Sequence, residues 1–230
     1  MDNLLIGASG LLGSNLKIDS LRPSSSELNI LSDESISSYF SLIDEPKNII
    51  LSAAYTNVVG ANSDKKSAYN LNVLAVQRIC KFLNKLYLGR PRLVYISTDY
   101  VFDGSIGSYK TDDPINPVQN NYYALTKALG ESSATTYENH CIIRTSFCKS
   151  NTWPYEFAFE DQFTSRDRVN IIAPMIDKKI NSSNVGIFHI GTKRKSVFEL
   201  AKTIKEDIKP SSRLLIKNVT IPYDTSFKDE

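Results

Sequence analysis

Asn3-Leu4-Leu5-Ile6-Gly7-Ala8-Ser9-Gly10-Leu11-Leu12-Gly13 decides the fold. A short apolar run ends in glycine, as buried parallel strands do. Three glycines at a spacing of three follow, and Leu11 to Leu16 predicts a short helix. Strand, glycine turn and helix in that order make a cradle for the pyrophosphate of a dinucleotide. Gly7 permits the tight turn, Gly10 lets backbone approach the phosphates, and Gly13 lets helix and strand pack closely. Ser9, Leu11 and Leu12 carry the backbone between them, and the helix N-terminus would add free N–H groups and the positive end of its dipole. A glycine-rich turn with no ligand is the alternative reading.

Outward from this turn, strand and helix patterns alternate. Ile18 to Arg22 reads as a clipped strand and Asp33 to Ile43 as a helix capped by Ser32 or Asp33. Asn48 to Ser52, Arg92 to Ser97, His140 to Arg144 and Gly186 to Ile190 read as strands. Asp64 to Leu86 is an amphipathic helix, with Ala68, Leu71, Ala75, Ile79 and Phe82 near one face. Asn121 to Tyr137 and Ser196 to Asp207 are helices. Such alternation predicts an α/β fold, a Rossmann-type doubly wound parallel sheet. Residues 1–145 would form a nucleotide-binding domain, 146–185 mainly a small substrate lobe, and 186–230 a strand and helix completing the fold. Ligands of such sheets bind at the carboxyl ends of the strands. The glycine turn, Ser52-Ala53-Ala54, Ser97-Thr98-Asp99 and Arg144-Thr145-Ser146 should therefore line one crevice.

Tyr123 and Lys127, four apart, would share a helix face. A cation beside a phenol favours the phenolate, which would lower the tyrosine pKa and make it a better proton donor. Thr98, at a strand end, can donate a second hydrogen bond to a carbonyl oxygen as charge builds there. Tyr122 competes for the donor role, but four residues beyond it stands the uncharged Thr126. An exposed tyrosine and lysine on an ordinary helix is the bland alternative.

Composition limits the rest. The 230 residues are 41% hydrophobic and 23% charged, with a net charge of +2, too small for a nucleic-acid surface. Lys193-Arg194-Lys195 reads as a solvated loop. Cys80, Cys141 and Cys148 have no metal-ligand spacing, and no metal site is expected. Their odd number, with no leader recognised, suggests reduced thiols in a cytoplasm. No apolar stretch approaches the roughly 20 residues of a membrane span.

Several sites stay open. Arg22 suits a 2′-phosphate, which would favour NADPH over NADH, or is an exposed arginine. Trp153, Tyr155, Phe157 and Phe159 could stack on a base or sugar, or pack as a lid. Arg166 could meet a phosphate or a surface carboxylate, and His189 reads as a core histidine.

The chain resembles the extended short-chain dehydrogenase/reductases, most closely the dTDP-4-dehydrorhamnose reductases and related nucleotide-sugar reductases. The matching pieces are Gly7 to Gly13, Glu27 to Ile30, Ser52 to Thr56, Asn72, Ser97 to Gly104, Asn121 to Lys127, Arg144 to Ser146, Asp161-Gln162, Gly186 to His189 and Pro222 to Ser226. The resemblance implies an NAD(P)H-dependent reductase of a nucleotide-activated 4-keto-(deoxy)sugar, serving deoxysugar or surface-polysaccharide synthesis. It makes Tyr123 the proton donor, Lys127 the holder of the nicotinamide ribose and Thr98 the partner of the reacting oxygen. Asn29 and Ile30 would meet adenine, Ser52, Ala53, Ala54 and Ser97 would run beside the cofactor, and Asn72 would support the site. Tyr55, Asp99, Tyr100 and Gln162, with Trp153 from the aromatic loop, would face the sugar. A homodimer is also implied. Asn29 stands where the family usually has an acid, Ala124 replaces a common glycine, and the Ser146 to Asp161 loop is much shorter than usual. A non-catalytic NADP-binding subunit like that of methionine adenosyltransferase, a closed NADPH sensor, or an epimerase or reductase of another sugar are the rival readings.

Overall fold

Alternate residues of the central strands feed two separate cores. The computed structural model describes residues 2–228. Strands β1 (Asn3–Ile6), β2 (Asn48–Leu51), β3 (Arg92–Thr98) and β4 (His140–Thr145) pair in parallel in that order, and Gly186–Ile190 pairs with β4 at the far edge. Leu4, Ile6, Ile49, Leu51, Leu93, Tyr95 and Ile142 point into one core, under helices α1 (Asp33–Phe40) and α3 (Ala75–Tyr87). Leu5, Ile50, Val94, Ile96, Cys141 and Ile143 point into the other. The period of two in a sheet covered on both faces is the expected Rossmann-type arrangement.

The helical run before β3 has an unexpected break. It divides into α2 (Lys65–Tyr69), a π-helical turn at Asn70–Leu74, and α3. The π turn re-aims Asn72, whose side chain accepts from the Tyr55 N–H at 2.8 Å and donates to the Tyr55 carbonyl at 3.1 Å. It also donates to the Thr126 hydroxyl at 3.0 Å, tying the turn to α4 (Tyr122–Ala134). Such turns concentrate at functional sites.

The helix expected over Leu11 to Leu16 is instead a three-residue 3-10 turn, Gly13–Asn15. Ser14 and Asn15 both donate side-chain hydrogen bonds to the Leu11 carbonyl, and Leu16 is already extended. These short polar side chains compete with helix propagation. The macrodipole expected at the glycine turn is therefore absent, because one short turn aligns too few peptides. The clipped strand at Ile18 to Arg22 is a single bridge, Leu21 against Leu4.

Past β4 come β5 (Phe147–Cys148), β6 (Phe157–Phe159), β7 (Phe163–Thr164) and β8 (Asp167–Arg168). Helix α5 (Val169–Asn181) was not anticipated; Val169, Ile172, Ala173, Ile176 and Ile180 bury one face in the second core. After the edge strand β9 (Gly186–Ile190), β10 (Lys195–Ser196) leads into α6 (Val197–Lys202), and β11 (Lys209–Ser211) pairs with β6. Helix α6 is shorter than expected but begins with a capping box between Ser196 and Glu199. The basic run is an exposed loop at Lys193 and Arg194, tied down where Arg194 pairs with Asp224 at 2.7 Å and Lys195 with Asp167 at 3.0 Å. No helix among the described residues is long and apolar enough to cross a membrane.

Candidate active site

The strand ends open onto a crevice of about 660 Å³. Gly7, Ser9, Gly10, Leu11, Leu12, Asn29, Ile30, Ser52, Ala53, Ala54, Ser97, Thr98, Tyr100, Tyr123 and Lys127 all line it. Pro23, Ser25 and Phe147 line it too, with no motif to mark them. Gly7 has φ +93°, and a Cβ there would lie 2.4 Å from the Ala53 nitrogen; one on Gly13 would lie 2.3 Å from the Gly7 carbonyl. Gly13 therefore closes the turn from behind. No hydrogen bond within the described residues takes the N–H of Leu11 or Leu12. Close backbone, free N–H groups and a lining without a carboxylate fit a dinucleotide diphosphate.

At the β3 end, Thr98 and Tyr123 line the crevice together. Asn121 caps α4 by accepting from the Ala124 N–H at 2.9 Å, which fixes the first turn carrying Tyr123. Burial pushes the Tyr123 phenol up to about 12, with the nearby Thr98 hydroxyl opposing. The expected lowering by Lys127 does not occur. The Lys127 ammonium instead donates to the Ile96 carbonyl at 2.7 Å and lies 4.3 Å from the Tyr95 ring centroid. Burial pulls Lys127 down to about 7, opposed by Glu131. Glu131 is fully paired: Arg144 grips it at 2.7 and 3.0 Å and the Ser97 hydroxyl donates at 2.6 Å. This buried group locks α4 onto β3 and β4.

Other expected residues lie behind the lining. The Arg22 guanidinium donates to the carbonyls of Gly13, Leu16 and Ile18 at 3.0, 2.9 and 3.2 Å. It braces the glycine turn and is not part of the crevice wall. The Asp99 carboxylate accepts from the hydroxyls of Thr98, Thr164 and Thr225, turned away from any sugar. Gln162 donates to the Tyr100 hydroxyl at 2.8 Å, and Tyr55 is held by Asn72 through its backbone. Trp153 packs on a satellite cluster with Ala158, Val197, Ala201 and Ile208 and donates to the Phe157 carbonyl; it is lid packing and does not reach the crevice. His189 stacks on Phe227 at 4.1 Å, and burial with the adjacent Arg144 brings it down to about 4, a neutral core histidine.

Residues 1–172 match the family model described as RmlD substrate binding domain. The dTDP-4-dehydrorhamnose reductase of Aggregatibacter actinomycetemcomitans is 36% identical over 156 residues, 63% of this chain and 50% of that protein. The chain spans about half the length of the curated relatives it matches. The crystal structure of a hypothetical dTDP-4-dehydrorhamnose reductase from Sulfolobus tokodaii superimposes with a TM-score of 0.84 at 31% identity, covering 99% of this chain and 92% of that one. The dTDP-4-dehydrorhamnose reductase of Bacillus anthracis, solved in complex with NADP, gives 0.86 at 26% identity, covering 99% and 90%. With the glycine cradle, the Thr98–Tyr123 pair and a match running through both, this chain belongs to the RmlD substrate binding domain family.

Proposed function

We propose that this protein is an NAD(P)H-dependent reductase of a nucleotide-activated 4-keto sugar. One observation carries the reading: a diphosphate cradle and a neutral, half-buried phenol beside a threonine hydroxyl share a single crevice. The nicotinamide cofactor supplies hydride to the ketone carbon. Thr98 would hold the ketone oxygen, and Tyr123 would give its proton to that oxygen as negative charge develops. With its pKa near 12, Tyr123 keeps its proton throughout the physiological range, which suits a donor in the reducing direction. Lys127, poised near 7, would exchange its Ile96 contact for the ribose hydroxyls of the cofactor. Gly7 to Leu12 would take the diphosphate, Asn29 and Ile30 the adenosine end, and Ser52 to Ala54 the floor.

The reading carries with it a role in deoxysugar or surface-polysaccharide synthesis, a cytoplasmic location and a homodimer. The test is oxidation of NADPH and NADH, followed at the nicotinamide absorbance, with dTDP-, UDP- and GDP-linked 4-keto-6-deoxysugars. Turnover with one of them is the expected result. Tight cofactor binding without turnover on any would replace this reading with that of a non-catalytic NADP-binding subunit.

A further inference from the structure

The crevice is cationic at the end away from the glycine turn. No aspartate or glutamate lines it, whereas Lys127 and Arg166 do. Arg166 immediately precedes β8, which pairs with β5 just past the end of β4. In the sheet, β4 is three strand spacings from β1, about 14 Å. The diphosphate cradle and Arg166 therefore serve different groups.

The Arg166 side chain is built in. Its Nε donates to the Ser146 hydroxyl at 2.8 Å, its backbone N–H to the Thr164 hydroxyl at 3.1 Å, and its carbonyl accepts from Lys195. The Arg166 charge partly offsets the upward push that burial gives the Tyr100 phenol, and the Tyr100 ring stands 6.2 Å from that of Tyr123. One aromatic ring thus separates the guanidinium from the proton donor. Among the described residues Arg166 forms no ion pair. The Asp99 carboxylate, which acts on Arg166 through its charge, is already occupied by three hydroxyls. A guanidinium has five N–H donors in a planar fork, and a sheltered one without a carboxylate is costly unless a ligand completes it. A second polar group points the same way. The Thr145 hydroxyl, beside Ser146 in the lining, is buried with no hydrogen-bond partner.

We propose that Arg166, with the Thr145 and Ser146 hydroxyls, receives an oxyanion of the substrate, a carboxylate or a phosphate, next to the carbonyl being reduced. The reduced carbonyl comes from the reductase reading above; the anion site itself does not depend on turnover. Arginine suits either group because its fork matches two oxygens at once.

Calorimetry tests it with two probes, UDP for phosphate and glucuronate for carboxylate, each titrated with and without NADPH. The expected result is that one probe binds the parent and loses about tenfold or more in affinity in Arg166→Gln, the loss typical of a charge-assisted hydrogen bond. The probe affected names the group. Thr145→Val, close in shape, should weaken the same probe and leave NADPH affinity unchanged, which keeps the test open if Arg166→Gln folds poorly. Failure of both probes to bind the parent overturns the proposal, as does equal affinity in parent and variants. Absence of turnover on the keto-sugar panel with the anion effect intact would instead remove the reductase reading alone.

Discussion

Gly130 approaches Asn72 so closely that a Cβ on the glycine would lie 2.1 Å from the asparagine carbonyl oxygen and 2.6 Å from the Tyr95 hydroxyl. Helix α4 can only seat itself against the π turn because position 130 has no side chain. That contact sets the height of Tyr123 and Lys127, earlier on the same helix, over the end of β3. Gly130→Ala should cost about 1–3 kcal/mol through overpacking. In a chain of this size that lowers Tm by roughly 2–4 °C per kcal/mol. A melting curve superimposable on the parent would show that the two helices are not in contact as described.

Tyr123→Phe removes the proton donor and leaves the ring in place. Turnover should fall by about 10²- to 10⁴-fold, the usual worth of a positioned acid, with cofactor affinity nearly unchanged. Thr98→Val should lower kcat by about 10²-fold or more if its hydroxyl meets the developing oxyanion. Steady-state kinetics and cofactor fluorescence titration read both. Near-normal turnover in Tyr123→Phe would move the donor role elsewhere.

Much of this was legible in the residues. The apolar four-residue strands, the glycine spacing and the strand-end position of Thr98 are local patterns with one physical solution each. What failed depended on partners that only the folded backbone brings to a side chain. Arg22 looked like a phosphate ligand by position, but its guanidinium holds the carbonyls of Gly13, Leu16 and Ile18. Asp99 looked substrate-facing, yet Thr164 and Thr225 come from far along the chain to satisfy it. Lys127 was expected to act on Tyr123, and the nearer Ile96 carbonyl took it. Helix α5 had a readable signal in the spacing of Val169, Ile172, Ala173, Ile176 and Ile180, despite Pro174 inside it. The π turn had none, because its hydrophobic spacing differs from an α-helix by a single residue.

Because Arg22 braces the turn, Arg22→Ala should weaken NADPH and NADH to a similar extent. It removes three hydrogen bonds, to the carbonyls of Gly13, Leu16 and Ile18, that hold the 3-10 turn and the chain leaving it in position. Paired titrations with the two cofactors decide the matter. A loss confined to NADPH would return Arg22 to the 2′-phosphate.

Lys127 gives the fold a pH dependence whose sign can be worked out. Burial lowers its pKa from 10.5 to about 7, with Glu131 opposing. The Ser97 and Arg144 contacts to Glu131, the Ile96 carbonyl and the Tyr95 ring are the other polar and aromatic groups around this site. Between about 7 and 10.5 the unfolded chain holds a proton that the folded chain has released. Stability from this group therefore rises with pH across that window, and is lowest below 7, where the folded protein must keep a buried ammonium. Lys127→Met preserves the length of the side chain and removes the charge. Its Tm should exceed that of the parent at pH 6, and the advantage should shrink steadily as the pH is raised toward 10. A constant difference across the range would mean that Lys127 is solvated in the folded chain, and the buried position of its ammonium beside Ile96 would have to be abandoned.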